Sequence, residues 1–491
     1  MKWIFLQIMI LLALAGCTSQ KTVSQSPKQA DPQIPKQLPS EDIPPLKTGA
    51  PGFIRFDQQE EAMLQAVQGL SEFERQQTRF IICSDQYNSD GVDAVKLCKD
   101  GVTKALNSIS SERDIEDVKA IGPAGSIMQI QLDDFGLTPS KWRLIEQADL
   151  FKFTSQTVRG RTLQFLTQTV RPFINGTNFN ESALIGAYTG LTEIPSTFQA
   201  FQQKLGVNVQ QEFDNRDPDM IAMGVNESVI TANRQFRLMW RVSTRDGSLW
   251  CTEDTNDQAI PPVNIEGQLI NQKNLLEAPF PLFARSAKTF KQDAGECIYT
   301  LPNGGLGFAL FDKNDVRQDF APTNIVQDTA AASQGLSGTI QNGRSCFRCH
   351  ATGFIPVRDS LAGHIAANTA FNAGDKQRGR IFFKNASEGA RLFSEDNERY
   401  GAFLKALGVN NPSEDPVNAL TDIIRKEQDA RQVAGLLGIT EDELKTGLRA
   451  STAASAVIGS LLQPNGKVDL ASLKAGLPLL IADMNLFQDD I

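Results

Sequence analysis

The chain has 491 residues, 48 of them basic and 57 acidic, and its formal net charge is −9. Hydrophobic residues make up 41% and charged residues 21%, which is typical of a soluble globular protein, and the length allows roughly two to four domains. A surface with this charge has no general attraction for DNA or RNA, and no Lys/Arg-rich run reverses the charge locally. No nucleic-acid partner is therefore expected.

Histidine is scarce, with only His350 and His364, which lie within one 15-residue stretch. Any reaction that needs an imidazole group must take place there. Catalytic triads with a His base and His-rich metal sites are therefore excluded from the rest of the chain.

The N-terminus predicts export. Lys2 precedes the apolar run Trp3–Leu14, which is too short to span a bilayer. The following Leu14-Ala15-Gly16-Cys17 resembles the lipobox of bacterial lipoproteins, in which the signal is cut before a cysteine that carries a diacylglycerol. We therefore expect a signal peptide over residues 1–16, a lipid on Cys17 and a periplasmic location. Thr18 rather than Asp follows the cysteine, which favours the outer membrane. A plain secretory signal is the alternative.

Residues 17–53 are predicted to form a disordered tether. They contain seven of the 23 prolines and few large apolar residues, so they cannot bury enough surface to fold. The folded part of the protein would then be held near the membrane in an oxidising compartment, with contact to the membrane through the lipid alone.

Residues 54–335 predict a mixed α+β domain. Apolar residues at three- and four-residue steps indicate helices over 56–82, 92–109, 138–148 and 159–173. The alternation of Met128, Ile130 and Leu132 with glutamines predicts a strand over 126–133. From 205 to 330 strands and loops are favoured. The run Leu301-Pro302-Asn303-Gly304-Gly305 predicts the turn of a β-hairpin between residues 296–300 and 308–311.

Residues 336–491 predict a mainly helical domain, which makes the fold class of the whole chain α+β. Helices are expected over 390–407, 416–437 and 441–462. Thr440 followed by Glu443 has the spacing of a capping box at the start of the last of these.

Four of the seven cysteines predict two disulfides. Cys17 is assigned to the lipid, and Cys346 and Cys349 belong to a separate motif. An even remainder in an exported protein favours disulfides, and short loops favour the pairs Cys83–Cys98 and Cys251–Cys297. Four buried free thiols are the alternative.

The sequence Cys346-Phe347-Arg348-Cys349-His350 has the spacing of the attachment site of haem c. Cysteines three apart on a helix can form thioethers to two vinyl groups of one porphyrin, and the adjacent histidine can bind the iron. The second ring nitrogen of His350 then needs an acceptor, which the loop Gly353–Pro356 is placed to supply. One covalent haem c is therefore predicted. A zinc half-site lacks further ligands, and a redox dithiol lacks a preceding apolar strand.

His364 is the predicted second axial ligand of the iron, in a short helix within residues 359–368. Fourteen residues separate it from His350, enough to pass around a haem edge. The alternatives are an open position or a methionine: Met484, Met220, Met223 or Met239. Arg348 and Arg358 are candidates to pair with haem propionates, or simply lie at the surface.

The stretch from Gly295 to Pro356 resembles a poorly characterised group of bacterial single-haem cytochrome c-like proteins. The resemblance rests on Gly295–Gly304, Ala321–Val326 and Asn342–His350, with weaker matches at residues 104–110 and 415–420. The resemblance implies a covalently bound haem c. It does not imply a particular reaction or a particular second axial ligand of the iron. Cys297 stands where the group has an aliphatic residue, which suggests a disulfide particular to this branch.

These observations lead to three hypotheses. The first is a lipid-anchored monohaem c-type cytochrome that transfers one electron at a time to a redox partner protein of the cell envelope. The second is a haem-dependent peroxidase or small-ligand-binding protein with an open axial site. The third is a non-catalytic binding or structural lipoprotein. An electron carrier is favoured over an enzyme.

Overall fold

The computed structural model describes residues 33–40, 42–47, 52–225, 236–255, 260–323, 326, 327, 332 and 338–489. The predicted signal peptide and Cys17 lie outside this part of the chain. The described residues from Ile34 onward form one compact unit. Within the predicted tether, the carbonyl of Pro44 accepts a 2.6 Å hydrogen bond from Arg159.

The helices of the first half of the chain are short, and several begin at a threonine whose side chain caps the first turn, as Thr138 and Thr157 do. They are α1 (Phe56–Gln68), α2 (Glu72–Gln77), α3 (Ser84–Asp90), α4 (Val92–Asn107), α5 (Pro139–Ala148), α6 (Val158–Thr167), α7 (Gly176–Glu181), α8 (Tyr188–Leu191), α9 (Phe198–Leu205) and α10 (Val209–Asn215). Helix α7 continues into a π-helical turn, Ser182–Gly186.

A four-stranded sheet packs against these helices. Its strands are β1 (Thr78–Ile82), β2 (Lys119–Ile121), β3 (Ile127–Gln131) and β4 (Phe173–Asn175), in the order β2-β3-β1-β4. Strand β1 is antiparallel to β3 and parallel to β4. The strand predicted over 126–133 is therefore confirmed.

The helix predicted over 56–82 is wrong at its C-terminal end, where the chain forms β1. Phe80 and Ile82 pack into the cluster around α1, whereas Ile81 packs into the main core. Successive side chains point to opposite sides of the backbone in an extended segment but not in a helix. Residues that fill two opposite apolar clusters in alternation therefore form a strand. The helix predicted over 159–173 likewise ends at Thr167, and Phe173 begins β4.

The second large sheet is antiparallel and has six strands. The remaining strands up to residue 318 are β5 (Ile221–Val225), β6 (Arg237–Thr244), β7 (Gly247–Asp254), β8 (Val263–Ile265), β9 (Gln268–Ile270), β10 (Ala294–Thr300), β11 (Leu306–Asp312) and β12 (Arg317–Gln318). The sheet order is β12-β11-β10-β7-β6-β5, and β8 pairs with β9 separately. Strands β10 and β11 form the predicted hairpin, with Thr300 opposite Leu306. Its turn needs Gly304, whose φ is 87°.

The C-terminal part of the chain is mainly helical, as predicted. Its elements are α11 (Arg344–Cys349), α12 (Leu361–Ala367), α13 (Ala373–Phe382), α14 (Ala386–Ala406), α15 (Pro416–Arg425), β13 (Gln428–Asp429), α16 (Ala430–Leu437), α17 (Glu441–Ala450), α18 (Thr452–Ile458), β14 (Lys467–Val468) and α19 (Leu470–Asp483). The single helices predicted over 416–437 and 441–462 are each divided. The second breaks at Ser451, whose hydroxyl caps the next helix. The capping box of Thr440 and Glu443 is confirmed.

The structure contains both predicted disulfides, Cys83–Cys98 and Cys251–Cys297. One hydrophobic core draws side chains from both sides of the boundary predicted at residue 335, including Val102, Phe308 and Leu420. That boundary stays a prediction about independent folding. None of the helices in the described part of the chain is both long and apolar enough to cross a membrane.

Candidate functional site

Helix α11 carries Cys346 and Cys349 and lies over one face of the six-stranded sheet. Its first turn packs closely because Gly343, with φ of 85°, precedes it. A Cβ at Gly343 would overlap the carbonyl of Leu184 and the ring of Tyr188. Glycine is therefore required for this approach of the motif to the preceding helices.

His350 ends α11, and its ring is oriented by a hydrogen bond. The backbone N–H of His350 donates to the carbonyl of Cys346 at 2.8 Å, and the Nδ1 atom lies 3.0 Å from the carbonyl oxygen of Gly353. A carbonyl can only accept, so Nδ1 carries a proton and donates this hydrogen bond, and Nε2 points away from the loop. The Gly353–Pro356 loop supplies the acceptor, as the sequence predicted, and the imidazole is 7% exposed.

Asn397 of α14 holds this loop in place. Its Oδ1 accepts from the backbone N–H of Phe354 at 2.7 Å, and its Nδ2 donates to the carbonyl of Phe354 at 2.9 Å. A Cβ at Gly353, whose φ is 109°, would overlap the Asn397 side chain. No sequence pattern predicts this partner, because Asn397 lies 47 residues beyond His350 along the chain.

The Glu296 carboxylate of β10 faces the free nitrogen of His350. Its Oε1 atom lies 3.9 Å from His350 Nε2. Bonds from a first-row metal ion to imidazole nitrogen and to carboxylate oxygen are each about 2.0–2.2 Å, so this separation is close to their sum of roughly 4 Å. Glu296 and His350 are thus a carboxylate and an imidazole that could both hold a metal ion if one were bound there.

The two cysteines of the motif are reduced. Cys346 is buried, and burial, reinforced by the nearby Glu296 carboxylate, raises the pKa of its thiol well above the usual value. A catalytic dithiol instead needs a stabilised thiolate in a positively charged, partly exposed place. The environment of Cys346 therefore favours a structural or attachment role over disulfide exchange.

Aromatic side chains surround the motif. The ring of Phe308 lies 5.0 Å from that of Phe347 and 6.0 Å from the imidazole of His350, and Tyr188 contacts Phe347 edge-on. The rings of Trp250 and Phe354 lie 6.0 Å from each other, and Trp250 shares the sheet face of Phe308, because both are cross-strand partners of Ile298. These contacts keep the environment of His350 apolar, which strengthens any charge interaction made there.

The two arginines of α11 dock the helix on α15. Arg348 donates to Asp422 at 2.5 Å, and Arg344 approaches the same carboxylate at 3.8 Å. They are one helical turn apart, on the other side of α11 from His350. Arg348 is thus engaged in helix packing, whereas Arg358 lies exposed on the following loop.

His364 lies on α12, in the predicted helix, and its Nε2 atom is already engaged. It is 2.8 Å from the carbonyl oxygen of Leu276, and the ring contacts Phe371 edge-on. Ligation through Nε2 would require this hydrogen bond to break. The role of His364 as an axial ligand stays a prediction.

The methionine alternatives fall in two places. Met484 packs with α17 and α19 in a separate apolar cluster. Met223 and Met239 are cross-strand partners on β5 and β6, and Met239 also pairs with Thr252, which the register sets opposite Glu296. Cross-strand partners share a face, so both methionines lie on the sheet face that carries Glu296.

Within the part of the chain that the structure describes, no group of three or more His, Cys, Asp and Glu side chains is arranged to hold a metal ion. Comparison of the chain with family models, with curated proteins and with solved structures finds no match. The candidate site is accordingly interpreted from its own residues.

Proposed function

We propose that this protein is an exported monohaem c-type cytochrome that carries one electron at a time. Cys346 and Cys349 would hold the haem as thioethers, and His350 would bind its iron through Nε2. When bound, the haem iron supplies one-electron oxidation and reduction. The observation that supports this best is the hydrogen bond from His350 Nδ1 to the Gly353 carbonyl, which orients Nε2 beside two reduced cysteines.

The chain's own residues would tune and protect this centre. The Gly353 carbonyl fixes the tautomer and orientation of His350 and raises the basicity of Nε2. Asn397 keeps that carbonyl in position through its two bonds to Phe354. Phe308 and Phe347 exclude water from the imidazole, and burial of this kind is one of the means by which a protein sets the potential of a haem.

The proposal includes the location and the partners. Haem c is attached after export, which agrees with the N-terminal signal and with the lipid expected on Cys17. We propose that residues 336–491 form a cytochrome c-like haem region and that the protein faces the periplasm from the outer membrane. It would exchange electrons with a redox partner protein in the envelope. The resemblance of Gly295–Pro356 to single-haem cytochrome c-like proteins points the same way.

A second candidate function is the binding of small ligands or peroxide at the iron. Glu296 favours it, because a carboxylate faces His350 Nε2 at 3.9 Å where electron-transfer haems usually have methionine or histidine. Carbon monoxide binding distinguishes the two functions. Rapid formation of a carbon monoxide complex by the reduced protein would support the second candidate, and failure to bind would support the electron carrier.

The decisive experiment is covalent loading. Protein exported from cells with the haem-maturation system should gain the mass of one haem and give the pyridine haemochrome of a thioether-linked porphyrin. The double variant Cys346→Ala, Cys349→Ala is the matched control and should gain no mass. If the exported wild-type chain carries no porphyrin, both haem functions are excluded, and the third hypothesis of a structural lipoprotein would replace them.

A further inference from the structure

A cavity of about 920 Å³ opens on the other face of the six-stranded sheet. Trp240, Cys251, Glu253 and Cys297 contribute to its floor, and along their strands they alternate with Met239 and Glu296, which belong to the opposite sheet face, the one on which Glu296 approaches His350. The Cys251–Cys297 disulfide fixes two of the floor strands to each other. The volume is within the range of small-molecule sites, roughly 300–1,000 Å³.

The walls of this cavity are aromatic. The ring of Trp240 lies 6.0 Å from that of Phe198 and 5.4 Å from that of Phe283, both edge-on, and Phe198 lies 5.3 Å from Phe311. Because these neighbouring rings pack edge-on, the cavity is bordered by ring faces as well as by ring edges. Faces of aromatic rings carry partial negative charge and attract cations.

One carboxyl group lies at the floor among these rings. Glu253 Oε1 accepts a 3.1 Å hydrogen bond from Trp240 Nε1. Glu253 keeps some accessible surface because it borders the cavity, yet the protein surrounds it closely enough for burial to raise the pKa of this carboxyl to about 8. The ionised Glu253 carboxylate thus has no positive charge beside it to offset the cost of its burial. A positively charged ligand would supply that charge.

The other charged groups that border the cavity are Asp315, Lys291 and Lys313. Lys291, Lys313 and Asp315 are all exposed at the rim, and of these three only Asp315 raises the pKa of Glu253 through its charge. The net charge of −9 also favours the approach of cations.

We propose that this cavity binds a small organic cation with an aromatic or apolar body, held by the aromatic walls and by the Glu253 carboxylate. A neutral aromatic molecule gains only the apolar contacts. At a pH above about 8, where Glu253 is ionised, an anion is repelled by Glu253 and Asp315, so the binding tests below are made at about pH 9. The site is independent of the haem motif, since it lies on the opposite face of the sheet.

Three probes of similar shape test the charge preference: phenethylammonium, 2-phenylethanol and 3-phenylpropanoate. Calorimetric titration of the folded, exported protein should give one binding site for phenethylammonium. The two other probes should bind at least about tenfold more weakly. Quenching of tryptophan fluorescence should accompany the binding, because Trp240 lines the cavity. Equal binding of the three probes, or absence of phenethylammonium binding, would overturn the proposal without any variant.

Glu253→Gln tests the named residue. Glutamine keeps the oxygen that accepts from Trp240, so the floor retains its hydrogen bond. The affinity for phenethylammonium should fall about tenfold, and that for 2-phenylethanol should not change. Glu72→Gln, on the exposed surface of α2, is the matched control and should bind as the wild type does. An unchanged affinity of Glu253→Gln for the cation would assign the binding to another part of the protein.

Discussion

The Glu296 carboxylate lies 3.9 Å from the Nε2 atom of His350, and the two residues come from a strand and a helix that meet only in the folded chain. If the proposed haem is bound to His350, a negative charge this close to its iron would stabilise the ferric state. Replacing Glu296 by Gln should therefore raise the midpoint potential of the haem-loaded protein. If the Glu296 carboxylate changes the equilibrium constant for reduction tenfold, the midpoint potential of this one-electron couple changes by about 60 mV.

Potentiometric titration measures this shift. Glu72→Gln removes a carboxylate of the same kind far from the motif and should leave the potential where it is. A midpoint that stays constant, or moves downward, in Glu296→Gln would show that this carboxylate does not act on the iron.

His350 and His364 should differ sharply when each is replaced by alanine. The Nε2 atom of His350 lies 3.9 Å from the Glu296 carboxylate, beyond hydrogen-bond distance, whereas that of His364 lies 2.8 Å from the carbonyl oxygen of Leu276. His350→Ala should abolish the low-spin spectrum while the thioethers still hold the porphyrin. His364→Ala tests the axial role predicted from the sequence: if His364 keeps its hydrogen bond to Leu276 in the haem-loaded protein, the variant retains the spectrum and loses only about 1 kcal/mol of unfolding free energy.

Absorption and electron paramagnetic resonance spectra read out the axial ligands of both variants. A low-spin spectrum lost in His364→Ala would establish His364 as the second axial ligand and would require α12 to move from the position described above.

Asn397 is expected to stabilise the loop that orients His350. Asn397→Ala removes two hydrogen bonds to Phe354 and leaves their backbone partners unsatisfied in a partly buried place. The free energy of unfolding should fall by about 2 kcal/mol, at roughly 1 kcal/mol for each bond. Urea denaturation measures the loss, and Gln65→Ala on the exposed face of α1 should change it by less than about 0.5 kcal/mol. Equal stability of the two variants would contradict the role of Asn397.

The local parts of this architecture could be predicted from the sequence. The Leu301–Gly305 turn, the capping box of Thr440 and Glu443, and the Cys83–Cys98 disulfide each depend on residues close together along the chain, and all are present. The Cys251–Cys297 disulfide spans 46 residues and is predicted because the other pair, Cys83–Cys98, already forms the shorter loop. The acceptor at Gly353 was also predictable, since it is three residues from His350.

The parts that depend on distant segments could not be predicted. Residues 78–82 follow a helical stretch and are a strand because two separate apolar clusters enclose them. The approach of Glu296 to His350 joins positions 54 residues apart, and the bonds of Asn397 to Phe354 join positions 43 residues apart. No periodicity or motif spacing contains information on which sheet face a helix will cover.

The pH dependence of stability should show the contribution of Glu60. This carboxyl is 1% exposed, accepts a hydrogen bond from Thr157, and has its pKa raised by burial from 4.5 to about 7. A raised pKa means that the native state binds the proton more tightly than the unfolded chain. Stability from Glu60 is therefore full below pH 4.5 and falls as the pH rises to about 7, above which it stays constant. The total change is about 3 kcal/mol.

Urea denaturation at pH 5 and pH 8 of the wild type and of Glu60→Gln separates this effect from that of other buried acids, such as Asp85, whose pKa is raised to about 6. Glutamine does not titrate and can still accept from Thr157, so the variant should lose less stability than the wild type between the two pH values. If the wild type and Glu60→Gln lose the same unfolding free energy between pH 5 and pH 8, then Glu60 is already ionised at pH 5 and its burial is compensated within the fold.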